Sequence, residues 1–209
     1  TIFLKRNIGT VVRQEIIKGN AEQANDQFGL HSEIPLILIT GGGQGASGLN
    51  KAIIPLIKHW LINFQVVHLT GSESEEVPKP EHPFFSHHHY HRLTSVNQGM
   101  GNLLAKSEIV FTRAGMGIIS ELASLKKDSV LIPIPGTHQE ENALILQQNK
   151  AAVCLSQEHL LNEGIKWWEK FILKRIPGEM GTRLNKMLPD GGANDFAKLI
   201  LEIAKNSSK

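Results

Sequence analysis

Three short polar segments, each following an apolar run, carry the residue types that could do chemistry. In the first, RAGMG at 113–117, Gly115 and Gly117 let the backbone lie close to a ligand. The helix predicted at about 118–125 offers unpaired N–H groups to an anion such as phosphate. Glu121, near its start, could accept two hydrogen bonds from a ribose diol. This combination predicts a nucleotide site.

The other two segments suit phosphate and hydroxyl groups. GGGQGASG at 41–48 lacks the Lys-Ser or Lys-Thr pair of a nucleoside-triphosphate loop, and it lacks the dinucleotide-binding spacing. Two interpretations stay open for it: a phosphate or sugar contact through backbone N–H groups, or a tight connection that lets a helix pack close to a sheet. The segment at 136–142 groups His138, Gln139 and Asn142, whose side chains suit a neutral ligand rich in hydroxyls.

A histidine-rich segment invites a metal interpretation. Five of the 10 histidines fall within residues 82–91. Zinc sites use ligands at defined spacing, usually from two elements, whereas adjacent histidines on a strand point alternately to opposite faces. We therefore predict no native metal site and no cofactor, and expect divalent metals to bind here only incidentally.

Apolar runs and helical patterns alternate along the chain. Strands are predicted near residues 36, 65, 90, 110, 131 and 152. Such alternation is typical of an α/β fold with a parallel sheet and helices on both faces. Ligands bind such sheets at the carboxyl ends of the strands, where all three polar segments lie. We expect the three segments to line one crevice.

Further helices are predicted toward the two ends of the chain, at 14–28, 157–161, 165–173, 182–188 and 194–204. The last of these has Phe196, Leu199, Ile200 and Ile203 on one face. We expect this apolar face to pack on another domain, and the isolated chain to oligomerise or dissolve poorly.

Composition narrows the functional class. The 209 residues predict one large domain. With 22 Lys+Arg against 20 Asp+Glu there is no polybasic footprint, which speaks against a nucleic-acid partner.

The single cysteine, Cys154, rules out a disulfide scaffold and is expected to be a small core residue. The apolar runs are shorter than the ~18 residues of a membrane span. Because the chain begins at Thr1 without a signal-peptide pattern, we expect it to be part of a longer protein.

Together these segments resemble a known family. GGGQGASGLN at 41–50, Met100, RAGMGIISEL at 113–122 and PIPGTHQEENA at 133–143 are similar to the carboxyl-terminal half of the MurG glycosyltransferases of peptidoglycan synthesis. The family's patterns are GGSQGA followed by Leu-Asn, Arg-(Ser/Ala)-Gly-Ala before Thr and Glu, and His-Gln-x-x-Asn-Ala. The likeness covers about residues 8–204 in order and spacing. It implies the second Rossmann-like domain of a two-domain, GT-B type glycosyltransferase, the domain that binds UDP-N-acetylglucosamine.

The resemblance also implies roles for particular residues. Arg13 would help to hold the donor, a main-chain group of Val96 would pair with uracil with Met100 packed nearby, and Glu121 would bind the ribose hydroxyls. The remaining contacts would be made by Gly43, Gln44, Gly115 and Met116 to the diphosphate and by Gln139 and Asn142 to hydroxyls of the sugar. The implied domains are an interdomain linker at 1–13, the donor domain at 14–193 and a helix at 194–209 that packs toward a missing amino-terminal domain.

Three features depart from the family's usual pattern. Gly43 stands where Ser is common and Ile118 where Thr is common, so two hydroxyls near the phosphates or sugar are missing. The linker reads IGTVVR at 8–13, without the usual Asn-Pro. We expect weaker donor affinity as a result.

By this resemblance the whole protein would be an inverting hexosyltransferase. It would move N-acetylglucosamine from UDP to the muramoyl sugar of a polyprenyl-diphosphate intermediate, converting lipid I to lipid II. The acceptor site, the general base and the membrane-docking patch belong to the amino-terminal domain, which is not in this sequence. We therefore expect this chain to bind donor without transferring it. The complete enzyme would be cytoplasmic and peripheral to the inner face of the cell membrane, with membrane contact only through the missing half.

Two other interpretations stay open. A non-catalytic nucleotide-sugar-binding subunit would act beside a separate membrane-anchored partner, although GGGQGASGLN favours the bacterial enzyme. An epimerase of the related two-domain type would need acidic and basic groups in a closed cleft, which the sequence does not locate.

Overall fold

The computed structural model describes residues 9–41, 47–71 and 87–207. Within these ranges the chain forms one six-stranded sheet with helices around it. The strands are β1 (Leu36–Thr40), β2 (Gln65–Leu69), β3 (Tyr90–Leu93), β4 (Ser107–Thr112), β5 (Ser129–Leu131) and β6 (Val153–Cys154). The helices are α1 (Gln14–Ile17), α2 (Ala21–Phe28), α3 (Ser47–Trp60), α4 (Met100–Lys106), α5 (Met116–Ser124), α6 (His138–Gln148), α7 (Gln157–Lys174), α8 (Glu179–Met187) and α9 (Gly192–Ser207).

All five strand pairings are parallel, and the order across the sheet is β3-β2-β1-β4-β5-β6. The predicted α/β class and the six predicted strands are confirmed. Strand order reverses between β1 and β4, and at such a switch point the turns that leave the two strands diverge to opposite faces and open a crevice. The crevice lies beyond the carboxyl ends of β1 and β4.

Alternation along β1 explains why the sheet is covered on both faces. Leu36 and Leu38 contribute to one hydrophobic core, whereas Ile37 and Ile39 contribute to the other. Successive side chains of a strand point to opposite faces, so an unbroken apolar run needs helices on each side. One core is completed mainly by α1, α2, α4, α5, α6 and α8, and the other by α3 and α7.

Two helix predictions were wrong in their boundaries. The segment predicted as one helix at 14–28 forms α1 and α2, because the Asn20 side chain accepts hydrogen bonds from the N–H groups of Glu22 and Gln23 (2.8 and 3.0 Å) and starts a new helix. The segments at 157–161 and 165–173, which were predicted as two helices, form the single helix α7. Gly164 does not break it; a Cβ there would lie 3.3 Å from both terminal carbons of Leu56, so this glycine lets α7 pack closely on α3.

The apolar face of α9 is exposed, with Phe196, Ile200 and Ile203 about half accessible to solvent. Trp168, in contrast, is buried against Trp60 and Phe64, as packing residues are. None of the helices in the described part of the chain combines the length and apolar character needed to cross a bilayer.

A buried charge cluster fixes α8 to the amino ends of β4 and β5. Asp128 accepts hydrogen bonds from the N–H groups of Gly178 (2.9 Å) and Gly181 (3.0 Å), and its carboxylate lies 3.4 Å from the guanidinium of Arg175. Arg175 also pairs with Glu108. The Asp128 and Arg175 side chains are 1% and 6% exposed, so both charges depend on one another for compensation.

Asp128→Ala should lower the free energy of unfolding by about 3 kcal/mol, because it leaves a buried guanidinium short of one partner and two N–H groups unpaired. Urea unfolding at pH 7 measures this. Asp26→Ala, an exposed aspartate on α2, serves as the control and should change the free energy by less than about 0.5 kcal/mol. A loss below about 1 kcal/mol for Asp128→Ala would show that the cluster is not needed for stability.

Candidate functional site

The carboxyl ends of the central strands bring the predicted segments side by side. Thr40 at the end of β1 is in register with Thr112 at the end of β4, which is in register with Leu131 at the end of β5. The turns that follow Thr112 and Leu131 are therefore neighbours, and Gly41 follows the adjacent strand β1. Gly43 and Gln44 of the predicted segment at 41–48 lie outside the described residues.

The amino end of α5 is open toward the crevice. The helix starts at Met116, two residues earlier than predicted, with Gly115 as its N-cap and no side-chain cap. A Cβ at Gly115 or at Gly117 would meet nothing within 4 Å, and the φ angle of Gly115 is an ordinary −75°. Neither close packing nor backbone strain therefore explains why glycine occurs at these two positions. They leave free approach to the N–H groups of a helix start, which favour an anion.

Two amide side chains of α6 hold the peptide that leads into α5. Gln139 Oε1 accepts hydrogen bonds from the N–H groups of Ala114 (3.2 Å) and Ile134 (3.3 Å), and Asn142 Nδ2 donates to the Ala114 carbonyl (3.0 Å). Gln139 is buried and Asn142 half-buried. The resemblance assigns both amides to sugar hydroxyls. Their observed hydrogen bonds also give these amides a structural role, because they connect the turn after β4 to the turn after β5.

Arg13 and Glu121 meet although they are far apart in sequence. Arg13 is the N-cap of α1, which packs against α4 and α5, and its Nη2 lies 3.2 Å from Glu121 Oε1. The Arg13 side chain is 65% exposed and that of Glu121 is 17% exposed. The pair therefore contributes little to stability, but it places a cation and a carboxylate together beside α5.

The two residues expected near uracil lie on one side of the sheet. Met100 is the first residue of α4, and Val96 lies in the turn between β3 and α4. Both are half-buried and pack against the core that α4 and α5 share. The structure thus places Val96 and Met100 together, on the same face of the sheet as α5.

A buried polar chain that the sequence did not predict lies at the start of α3. Asn50 Nδ2 donates to the Thr70 carbonyl (3.0 Å), so its Oδ1 is oriented to accept from His68 Nε2 (2.8 Å). His68 Nδ1 is then an acceptor for the Tyr90 hydroxyl (2.9 Å). Asn50 lies in the first turn of α3, so the chain fixes the start of that helix against β2 and β3. Burial, with a smaller contribution from the Arg92 charge, lowers the pKa of His68 to about 3.

Arg113, directly after β4, is buried, with 6% of its surface exposed. Its Nη1 donates to the Ile132 carbonyl (3.0 Å), whereas its Nε is buried and has no partner in the part of the chain that the structure describes. Burial lowers the pKa of Arg113. The motif RAGMG contained this residue, but nothing in the sequence showed that it would be buried.

The described histidines of the histidine-rich segment gather at the edge of the sheet away from the crevice. His87, His88 and His89 contact one another, and His31 contacts His88 and His89, with ring centroids 4.0–6.4 Å apart. Over the described residues, no group of three or more His, Cys, Asp or Glu side chains is arranged to hold a metal ion. Cys154 is half-buried, and burial raises the pKa of its thiol.

With this geometry in place, comparison with known proteins gives the family. Residues 36–180 match the Glycosyltransferase family 28 C-terminal domain. The chain belongs to this family. The resemblance seen in the sequence motifs is thereby confirmed, and the six-stranded parallel sheet is the framework of this family 28 domain.

Curated relatives of this family 28 chain carry the name UDP-N-acetylglucosamine–N-acetylmuramyl-(pentapeptide) pyrophosphoryl-undecaprenol N-acetylglucosamine transferase. The relative from Lachnoclostridium phytofermentans is 33% identical over 159 residues, which cover 74% of this chain and 43% of the relative. The relative from Geobacillus kaustophilus is 29% identical over 206 residues, which cover 97% and 55%. The chain thus spans about half the length of the curated relatives it matches.

Solved structures share the fold. The crystal structure of Acinetobacter baumannii MurG has a TM-score of 0.71 and 20% sequence identity, and the match covers 97% of this chain and 58% of that chain. UDP-GlcNAc 2-epimerase from Neisseria meningitidis, bound to UDP-GlcNAc, has a TM-score of 0.61 and 21% identity over 88% and 48% of the two chains. The GT-B type architecture expected from the motifs is confirmed.

His68 should make stability depend on pH. Its pKa is lowered from 6.5 to about 3 by folding, so between these values the unfolded chain binds a proton that the folded chain does not. The free energy of unfolding should therefore fall as the pH falls below about 6.5, by about 1 kcal/mol per pH unit from this group. His68→Gln, which can still donate to Asn50 and accept from Tyr90, should reduce this slope. Urea unfolding at pH 7, 6 and 5 compares the two proteins; equal slopes would show that His68 is not the group responsible.

Proposed function

We propose that this chain is the UDP-N-acetylglucosamine-binding half of an inverting glycosyltransferase of peptidoglycan synthesis. The complete enzyme would transfer N-acetylglucosamine to the muramoyl sugar of a polyprenyl-diphosphate acceptor, converting lipid I to lipid II. The observation that carries the proposal is the open start of α5, bordered by Glu121 with Arg13 and by the amides of α6. The names of the curated relatives support the choice of donor and acceptor.

The donor would lie along the crevice with each part meeting a different element. Uracil would lie near the main chain of Val96 and near Met100. The ribose hydroxyls would bind Glu121, whose carboxylate has a second oxygen beyond the one that meets Arg13. The diphosphate would lie at Gly43, Gln44, Gly115 and Met116, and the sugar hydroxyls would meet Gln139 and Asn142.

Chemistry would take place only when the other half is present. In a direct displacement, a base removes the proton of the acceptor hydroxyl, its oxygen bonds to the anomeric carbon, and the bond from that carbon to the UDP oxygen breaks. This half would contribute the N–H groups of its helix starts, which stabilise the charge on the departing diphosphate. The base would come from the amino-terminal domain, so the isolated chain would bind donor and transfer nothing.

We also propose how the chain is divided. Residues 1–13 would form the linker, 14–193 the donor domain and 194–209 the helix that reaches back to the other half. The exposed Phe196, Ile200 and Ile203 of α9 support this arrangement, since an apolar face needs cover. The complete enzyme would be peripheral to the inner face of the membrane through its other half.

Glu121→Ala should weaken UDP-N-acetylglucosamine binding by roughly 10- to 100-fold, because two hydrogen bonds from the ribose to a carboxylate are lost. The free energy of unfolding should change by less than about 1 kcal/mol, since Arg13 is mostly exposed. Calorimetric titration at 25 °C, with UDP-glucose and UDP-N-acetylgalactosamine as competitors, measures affinity and preference.

Glu179→Ala is the matched control for this titration, because Glu179 also pairs with an arginine, Arg183, but on α8. It should bind donor as the unmodified chain does. A chain that fails to bind UDP-N-acetylglucosamine at millimolar concentration would contradict the donor-binding proposal itself.

The isolated chain should self-associate through α9, and Ile200→Glu should shift it toward monomers, because a charge on the apolar face opposes burial. Light scattering after size-exclusion chromatography measures the mass. Leu173→Glu on α7, where the leucine is 85% exposed, is the control and should leave the mass unchanged. A monomeric starting chain would contradict this expectation.

A further inference from the structure

Two buried guanidinium groups of this protein have opposite surroundings. Arg175, at the amino ends of the strands, pairs with Glu108 and Asp128. Arg113, at the carboxyl ends, pairs with no carboxylate among the described residues. Its Nη1 donates to the Ile132 carbonyl, and its Nε has no hydrogen-bond partner among the described residues. A buried charge without a counter-charge is unfavourable, so its presence needs a reason.

The position of Arg113 supplies that reason. A Cβ added to Gly48, the second residue of α3, would lie 3.3 Å from Arg113 Nη2, so the guanidinium lies directly against the amino end of α3. The same Cβ would lie 2.0 Å from Gln157 Oε1, so a larger residue at Gly48 would displace the Gln157 side chain. Ala114, the next residue in the chain, leads to the open start of α5. Three positive features thus converge: a guanidinium and the partial charges of two helix starts.

Among the described residues, no carboxylate pairs with this charge. The group that accepts a hydrogen bond from Arg113, the Ile132 carbonyl, is neutral. The positive potential at the switch point is therefore directed toward a ligand that brings its own negative charge.

We propose that Arg113 is the electrostatic anchor of the diphosphate, a residue that attracts the donor's phosphates from beneath the site without touching them. This inference rests on the proposed function and adds to it a residue for which the family resemblance gave no role. Because the guanidinium is 6% exposed, it acts through its field and not through a direct contact. In a site of low polarity such a field is screened less than in water, so it favours phosphates over the uncharged parts of the ligand.

The decisive variant is Arg113→Met, which keeps a long unbranched side chain and removes the charge. UDP should bind it roughly 10- to 100-fold more weakly than it binds the unmodified chain, whereas uridine should bind within about 3-fold. Arg113→Lys, which restores the charge, should recover most of the UDP affinity. The unfolding temperature of Arg113→Met should be equal to or above that of the unmodified chain, because an uncompensated buried charge is gone. Arg183→Met, at a half-exposed and ion-paired arginine, is the control and should change none of these values.

NMR titrations with UDP and uridine, together with thermal unfolding, measure these effects. Equal weakening of UDP and uridine would overturn the proposal, since a structural defect would weaken both. Unchanged UDP affinity in Arg113→Met would overturn it as well. If the unmodified chain binds neither UDP nor uridine, the proposed function fails, and inorganic pyrophosphate then tests Arg113 separately. Pyrophosphate should raise the unfolding temperature of the unmodified chain more than that of Arg113→Met, and equal shifts would overturn the anchor.

Discussion

The parallel pairing of β1 with β4 is the constraint on which the rest of the molecule depends. It joins the two halves of the sheet at the point where strand order reverses, and it sets Thr40 beside Thr112. Because each of these strands is apolar on both faces, helices must cover the sheet on both sides. The turns that leave the two strands therefore diverge to opposite faces of the sheet. The crevice follows from this separation, before any particular side chain is considered.

Around the crevice, polar side chains are used mainly to hold the backbone in place. Gln139 and Asn142 form hydrogen bonds with the N–H and carbonyl groups of Ala114. The hydrogen bonds that run from Tyr90 through His68 to Asn50 fix the position of α3. In both networks each hydrogen bond pairs a donor with an acceptor, so the free-energy cost of burying these polar groups is small and their positions are defined. Arg113 differs from these networks, because it is a buried charge with no paired carboxylate among the described residues, and this difference is the basis for proposing that it acts in binding.

The fold was largely predictable from the sequence, and the finer positioning was not. Runs such as that of β1 identify buried strands because they are apolar at every position, and glycine-rich turns mark where helices approach the sheet closely. Gly164 misled the prediction because a glycine can end a helix or let it touch a neighbour, and the difference depends on Leu56, over a hundred residues earlier. His68 could be recognised as unusual within an apolar strand, but its partners Asn50 and Tyr90 are 18 and 22 residues away in sequence. The pairing of Arg13 with Glu121 is equally non-local.

These features also bear on the proposal that this chain holds the donor site of a larger enzyme. The turns after β4 and β5 are held by α6, α3 is held by Asn50, and α8 is held by Asp128, all within this chain. The mostly exposed Arg13 side chain and the exposed apolar face of α9 lie outside those networks. A second domain that covers them would not have to build the donor site. Under the proposed function, the task of that domain would be to close the crevice, exclude water and bring the acceptor to the donor, which is what direct displacement requires.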